Sequence, residues 1–147
     1  MYKRILVATD GSELSAKAVD SSINLAKALG AELFALKVTY LRSEDHWDGA
    51  LIHDRDGHAR LEAQMTNSAQ SVVDAVKASA QAAGVQATAL TVKSPSVAET
   101  VIEVSKKYDC DLVVMASHGR RGLSRVLLGS ETQHVLTHSL VPVLVLR

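Results

Sequence analysis

The chain has 147 residues, a length suited to one domain, and 47% of them are hydrophobic, enough to fill a core and too many for a disordered chain. Sixteen basic residues balance sixteen acidic ones, which argues against a nucleic-acid binder, because such a protein needs a basic surface to neutralise phosphates. Binding of one small anion through backbone groups stays open.

In chain order, residues 5–8 (ILVA) form a short β-branched run closed by Thr9-Asp10-Gly11-Ser12, the pattern of a buried strand and a turn. The run ends too soon after the basic Lys3 and Arg4 for a signal peptide. No apolar stretch approaches the roughly 20 residues that span a bilayer, so a cytoplasmic protein with no membrane partner is expected. Ser12 is placed to cap a helix with Glu13 in its first turn. Val19, Ser22, Ile23, Ala26 and Leu29 recur at helical spacing, and Gly30 stands where a glycine stop is favoured. Residues 31–40 predict a second strand. Residues 41–57 have no period and hold the only tryptophan, Trp47, with five acids. A long irregular stretch is usually functional or disordered, and a lid or a partner contact are its two functional readings.

Leu61, Met65, Ala69, Val72, Val76 and Ala80 make the stripe of a long helix closed by Gly84. Residues 85–92 predict a third strand. Ser94 is the expected cap of the next helix, with Pro95 near its start and Val97, Val101 and Val104 on its inner face. Cys110, the single cysteine, precludes an internal disulfide and fits a reducing compartment. Its neighbours Asp109 and Asp111 would raise the thiol pKa, which predicts an inert side chain. Residues 111–116 predict a fourth strand, 130–136 a last helix and 141–146 a last strand. Strands that alternate with helices imply right-handed crossovers and a parallel sheet covered on both faces.

The chemistry concentrates in Met115-Ala116-Ser117-His118-Gly119 and, nine residues later, Gly129-Ser130-Glu131-Thr132. Gly119 follows a strand, and Gly129-Ser130 precedes a helix. Glycine lets backbone approach an anion, and the first N–H groups of a helix point outward at its positive end. Read alone, the pattern is either a phosphate cradle, to which the Ser130 and Thr132 hydroxyls could add hydrogen bonds, or a turn with a helix cap. Arg120, Arg121 and Arg125 read as a clamp on terminal phosphates or as a solvated loop. His118 reads as a phosphate contact or as local packing. His134 and His138, four apart, and His53, Asp54, Asp56 and His58 have ligand-like spacing, but surface positions explain them more simply. The P-loop, the dinucleotide fingerprint and the Gly-x-Ser-x-Gly elbow are all missing. A receiver domain would want an acidic cluster at several strand ends, and Asp10 stands largely alone there.

The wider pattern resembles the nucleotide motif of the universal stress protein family, Gly-x-x-Gly, nine residues, then Gly-Ser or Gly-Thr. Gly119 is the second glycine, Gly129-Ser130 the closing pair, and Ala116 replaces the first glycine, adding one methyl. Residues 5–10 resemble the family's first strand with its Asp-bearing loop, and Val141-Pro142-Val143-Leu144-Val145 its closing strand. The resemblance covers the chain except residues 41–57. It implies a doubly wound α/β fold, Rossmann-like, with a five-stranded parallel sheet in the order 3-2-1-4-5, and one domain over residues 1–147. It implies ATP between the first and fourth strands, at the switch point where such sheets bind ligands. Asp10 and Gly119 would face each other there. In that mapping Ala8, Thr9 and Asp10 take the adenosine end and Val38 offers a backbone contact to adenine. Met115 and Ala116 meet the ribose, and His118, Gly119, Gly129, Ser130, Glu131 and Thr132 form the phosphate segment. Mg²⁺ would be held mainly through the phosphates. The resemblance also implies a homodimer that pairs the last strand, residues 141–146 ending at Leu146, with its copy. Three functions follow: a nucleotide-binding stress-response regulator, a slow ATPase or self-phosphorylating enzyme using Ser130 or Thr132, or a structural dimer with no nucleotide.

Overall fold

In the computed structural model, residues 1–40, 55–119 and 127–147 are described. Most of the irregular stretch, with Trp47, His53 and Asp54, and the three loop arginines lie outside them. The elements are β1 (Arg4–Ala8), α1 (Glu13–Leu29), β2 (Glu32–Thr39), α2 (Arg55–Ala82), β3 (Ala87–Lys93), α3 (Val97–Lys107), β4 (Leu112–Ala116), α4 (Ser130–His138) and β5 (Val143–Leu146). They build one five-stranded sheet in the order β3-β2-β1-β4-β5, and every pairing is parallel. This is the doubly wound arrangement expected from the sequence. The strand order reverses between β1 and β4, so the helices that follow these two strands leave on opposite faces.

Two cores result. Ile5, Val7, Leu33, Ala35 and Val114 point to one face and meet α1 and α2 through Ala18, Ile23, Val73 and Ala80. Leu6, Phe34, Leu36, Val113 and Met115 point to the other and meet α3 and α4 through Val101, Val104 and Val135. Alternate residues of one strand thus feed different cores, as the period of two requires. Each fully buried Leu, Ile or Val contributes about 1.5–3 kcal/mol relative to exposure.

The helix ends follow local chemistry, with several departures from the sequence expectation. Ser12 caps α1 by accepting from Ser15 N–H at 3.2 Å. Gly30, at φ 64, closes α1 in the left-handed conformation that glycine adopts without cost. The cap of α3 is Ser96, whose Oγ accepts from Glu99 N–H at 3.3 Å; the expected cap, Ser94, instead accepts from Ser96 N–H and forms the preceding turn. α2 begins at Arg55, inside the stretch read as irregular, and its buried stripe is Ala69, Val73, Val76 and Ala80. Leu61 stays 40% exposed and Val72 is half-buried, because α2 meets the core only from Ala69 onward. β3 starts at Ala87, since Val85 N–H still bonds to Ala80 C=O at the end of α2. β5 starts at Val143: Val141 N–H is taken by Ser139 Oγ, and Pro142 has no donor. α4 runs on to His138.

Candidate functional site

The crest of the sheet opens where β1 and β4 part. Thr9 N–H makes the last rung to β2, bonding Leu36 C=O at 2.9 Å. The chain then turns through Asp10, whose Oδ1 accepts from Ser12 N–H at 2.9 Å. Thr9 Oγ1 lies 3.0 Å from Ser15 Oγ and accepts from Gly11 N–H. Lys37 Nζ donates to Asp10 C=O at 2.8 Å, so β2 holds the turn from the side.

Beside this turn lies a cavity of about 170 Å³ with a mostly apolar wall, to which Ala8, Leu36, Val38, Val97 and Met115 contribute. Thr9, Asp10, Ser15, Ala116, His118, Gly119, Glu131 and Thr132 complete that lining. An open cleft of about 890 Å³ continues across the crest past Gly129 and Ser130 to α2. All twelve residues singled out in the sequence line one or the other. Val38 gains a specific role from the ladder. In a parallel sheet successive residues turn their N–H and C=O alternately to the two neighbouring strands. Leu36 C=O serves β1 and Thr39 C=O serves the β3 side through Ser94 N–H, so the peptide groups of Val38 face the β1 side beyond the end of β1. They present one donor and one acceptor to the cavity.

The opposite end is a glycine-lined cradle. Gly129 is the N-cap of α4, contributes no side-chain cap bond, and donates its N–H to Ser117 C=O at 2.7 Å. A Cβ on Gly129 would stand 3.2 Å from His118 Cα and from Ser117 O, tighter than ordinary van der Waals contact. A Cβ on Gly119 would stand 2.9 Å from Asp10 Oδ2, so Asp10 and Gly119 do face each other across the crevice. The start of α4 lines the cleft at Gly129 and Ser130, where the unsatisfied N–H groups of a helix N-terminus favour an anion, and a side chain at Gly119 or Gly129 would crowd Asp10 or the Ser117–His118 backbone.

Side chains in this segment divide sharply. Thr132 is 3% exposed and its Oγ1 donates to Ala116 C=O at 2.9 Å, which ties α4 to β4 and takes its hydroxyl out of the cleft. Glu131 reaches away from its own helix: Oε2 accepts from Ala98 N–H of α3 at 2.7 Å. A carboxylate in the first turn of α4 would favour its own helix end, yet Glu131 satisfies the second N–H of α3, beside the Ser96 cap. His118 Nδ1 lies 3.1 Å from Ser117 Oγ, a contact within its own loop. Ser130 is exposed.

Sequence reasoning missed Ser15, Leu36, Lys37 and Val97. A single lysine inside an otherwise apolar parallel strand was a signal for Lys37, because such a charge is buried only with a partner. Val97 passed as a core residue of α3. Cys110, away from the cleft, is buried, with its thiol pushed up from 9.0 to about 12. Burial is the main cause; Arg4 opposes it, and Asp111 adds less than burial does, so the acidic neighbours are not the principal reason.

Among the described residues no helix is long and apolar enough to cross a membrane. The chain is 31% identical over 153 residues to universal stress protein MJ0531 of Methanocaldococcus jannaschii, covering 100% of this chain and 83% of that protein. It superposes on the solved structure of protein MJ0577 from the same organism with a TM-score of 0.81 and 26% identity, covering 99% of this chain and 96% of the other. A universal stress protein solved in complex with cAMP has the same fold, with a TM-score of 0.67 and 24% identity over 98% of this chain and 95% of that one. The universal stress protein family model matches residues 1–147, and the chain belongs to that family.

Proposed function

We propose that this protein binds ATP in the crest cleft and acts as a dimeric, cytoplasmic stress-response regulator. The observation that carries the reading is one continuous cleft with two different ends. At one end, Val38 offers a backbone donor and acceptor beside an apolar slot; at the other, Gly119, Gly129 and the start of α4 form an anion cradle. An adenine ring presents an acceptor at N1 beside a donor at N6, which matches that pair. Guanine presents the reverse order, so ATP is favoured over GTP. The cAMP complex of a fold neighbour supports an adenine nucleotide as a ligand this fold can hold.

Mg²⁺ fits as a companion of the phosphates. Asp10 faces Gly119, and its Oδ1 already accepts from Ser12 N–H, while Glu131 is bonded to α3, so the ion would be held mainly by phosphate oxygens and water. Ala116 is compatible with the site: its carbonyl accepts from Thr132, and its side chain is the smallest that could replace the motif glycine.

The regulator reading is preferred to the enzyme reading because the groups a fast phosphoryl transfer needs are otherwise engaged. Glu131 is bonded to α3 and Thr132 to β4, leaving Ser130 as the only exposed hydroxyl of the two. The dimer rests on β5, an edge of the sheet. Pro142 C=O and Leu146 C=O serve β4, so the peptide groups of Val143 and Val145 face the open edge. Leu136, Leu140 and Leu144 are exposed beside it. Calorimetric titration tests the site: ATP should bind once per chain, and Gly119→Val should abolish binding while leaving the fold intact. Unchanged affinity in that variant removes the site.

A further inference from the structure

We infer that Lys37 matches the cleft to the charge of its ligand, a role that rests on the nucleotide reading and deepens it. Its ammonium braces the Asp10 turn and offsets the Asp10 carboxylate, so that affinity rises with the number of phosphates on the ligand.

The strand explains how a lysine comes to stand there. β2 pairs with β1 as far as Leu36, whose C=O takes the Thr9 N–H. It then continues past the end of β1, still paired with β3. Leu36 and Val38 pack into the second core, so Lys37 between them leaves the opposite face of the sheet. The residue is half-buried, where a charge is tolerated only with a partner. That partner is Asp10 C=O at 2.8 Å, a bond made by a cation and so of the stronger class. Val38, the next residue on the strand, belongs to the proposed base edge. One stretch of β2 thus serves the base with Val38 and the turn beside it with Lys37.

The turn carries a charge problem. A Cβ on Gly119 would stand 2.9 Å from Asp10 Oδ2, so a carboxylate faces the backbone proposed to receive phosphate. Like charges at such close quarters cost affinity. Among the described residues that line the open cleft, the carboxylates are Asp10 and Glu131, and the one lysine or arginine is Lys37. Glu131 serves the positive end of α3 through Ala98 N–H. For Asp10 the compact ammonium of Lys37, bonded to its own carbonyl, supplies the opposite charge. A neutral residue at position 37 would leave the described lining with two carboxylates and no lysine or arginine. An uncharged ligand is nearly indifferent to that change, and a polyphosphate is not. A lysine that only braced the turn would instead affect every ligand by the same factor.

Calorimetric titration of the full chain with ATP, AMP, adenosine and inorganic tripolyphosphate separates the two roles, using wild type, Lys37→Met and Lys37→Arg. Mg²⁺ is left out, because it cancels part of the ligand charge, and salt is kept low so that screening does not hide the effect. Over about 8 Å in water-like surroundings, one ligand charge is worth roughly two- to threefold in affinity. Lys37→Met should therefore weaken ATP and tripolyphosphate by at least about tenfold, AMP by less, and adenosine by under about threefold. Lys37→Arg, which restores the charge, should recover most of the loss. Equal losses for ATP, AMP and adenosine, or an unchanged ATP affinity, overturn the inference and leave the nucleotide reading standing. Tripolyphosphate binding that Lys37→Met weakens, in a protein that binds no ATP, removes the nucleotide reading and keeps the role of Lys37. A wild-type chain that binds none of the four overturns both. Lys37→Gln, neutral but polar, replaces Lys37→Met should circular dichroism show that variant to fold poorly.

Discussion

Glu131→Ala separates two accounts of the only carboxylate in the phosphate segment. In the structure Glu131 Oε2 accepts from Ala98 N–H at 2.7 Å, the second N–H of α3, while Ser96 Oγ accepts from the third. Removing one such acceptor costs about 0.5–2 kcal/mol, typically about 1. The low half of that range applies here, because Glu131 is exposed and Ser96 still caps the helix. For a chain of 147 residues that corresponds to a fall in Tm of about 2–4 °C. Glu131→Gln keeps an acceptor oxygen and should retain more than half of that stability. Thermal melting followed by circular dichroism measures both, and a steady-state ATP assay on the same samples measures the chemistry. An unchanged Tm in Glu131→Ala refutes the capping role. Loss of a measurable ATPase in Glu131→Gln would make the residue a general base and refute the structural assignment.

Three further outcomes are expected. Val145→Pro removes a backbone donor that faces the open edge of β5 and spares the ladder to β4, so it should convert a dimer to a folded monomer by light scattering. A wild-type mass of one chain at micromolar concentration would defeat the dimer. Val143 is a poorer probe, because it packs against the second core. ATP turnover should lie well below about 1 per second, under the usual enzyme range, and a faster rate lost in His118→Ala would make the protein an enzyme. The Cys110 thiol should resist alkylation at pH 8 in the native protein and react in denaturant. Its folded pKa is raised, so the stabilisation from the neutral thiol is complete below pH 9 and declines as pH rises toward 12. Urea midpoints across that window that do not fall, relative to Cys110→Ala, would contradict this.

Much of the fold was legible in the sequence because its strands are continuous apolar runs bounded by punctuating residues. Ser12 and Gly30 mark both ends of α1, and the strand order implied by the family resemblance put Asp10 opposite Gly119 across 109 positions. What the sequence did not carry was the set of contacts between distant elements. Glu131 looks like a residue of its own helix until α3 is packed beside it. Ser94 and Ser96 are equally good caps by composition, and only the turn geometry chooses between them. Val73 displaces Val72 from the stripe of α2 because a helix meeting the core over only part of its length can rotate to suit that part. Lys37 was hidden by its apolar neighbours, although its partner is the turn that shapes the cavity.

The central claim, an adenine nucleotide held between Val38 and the start of α4, is tested most directly by titrating nucleotide-free protein with Mg²⁺·ATP and, separately, with Mg²⁺·GTP. One ATP per chain is expected, binding at least about tenfold tighter than GTP, the 1.4 kcal/mol expected for a mispaired base edge, with no binding of either by Gly119→Val. Equal affinity for the two nucleotides, or ATP binding that survives Gly119→Val, would contradict it.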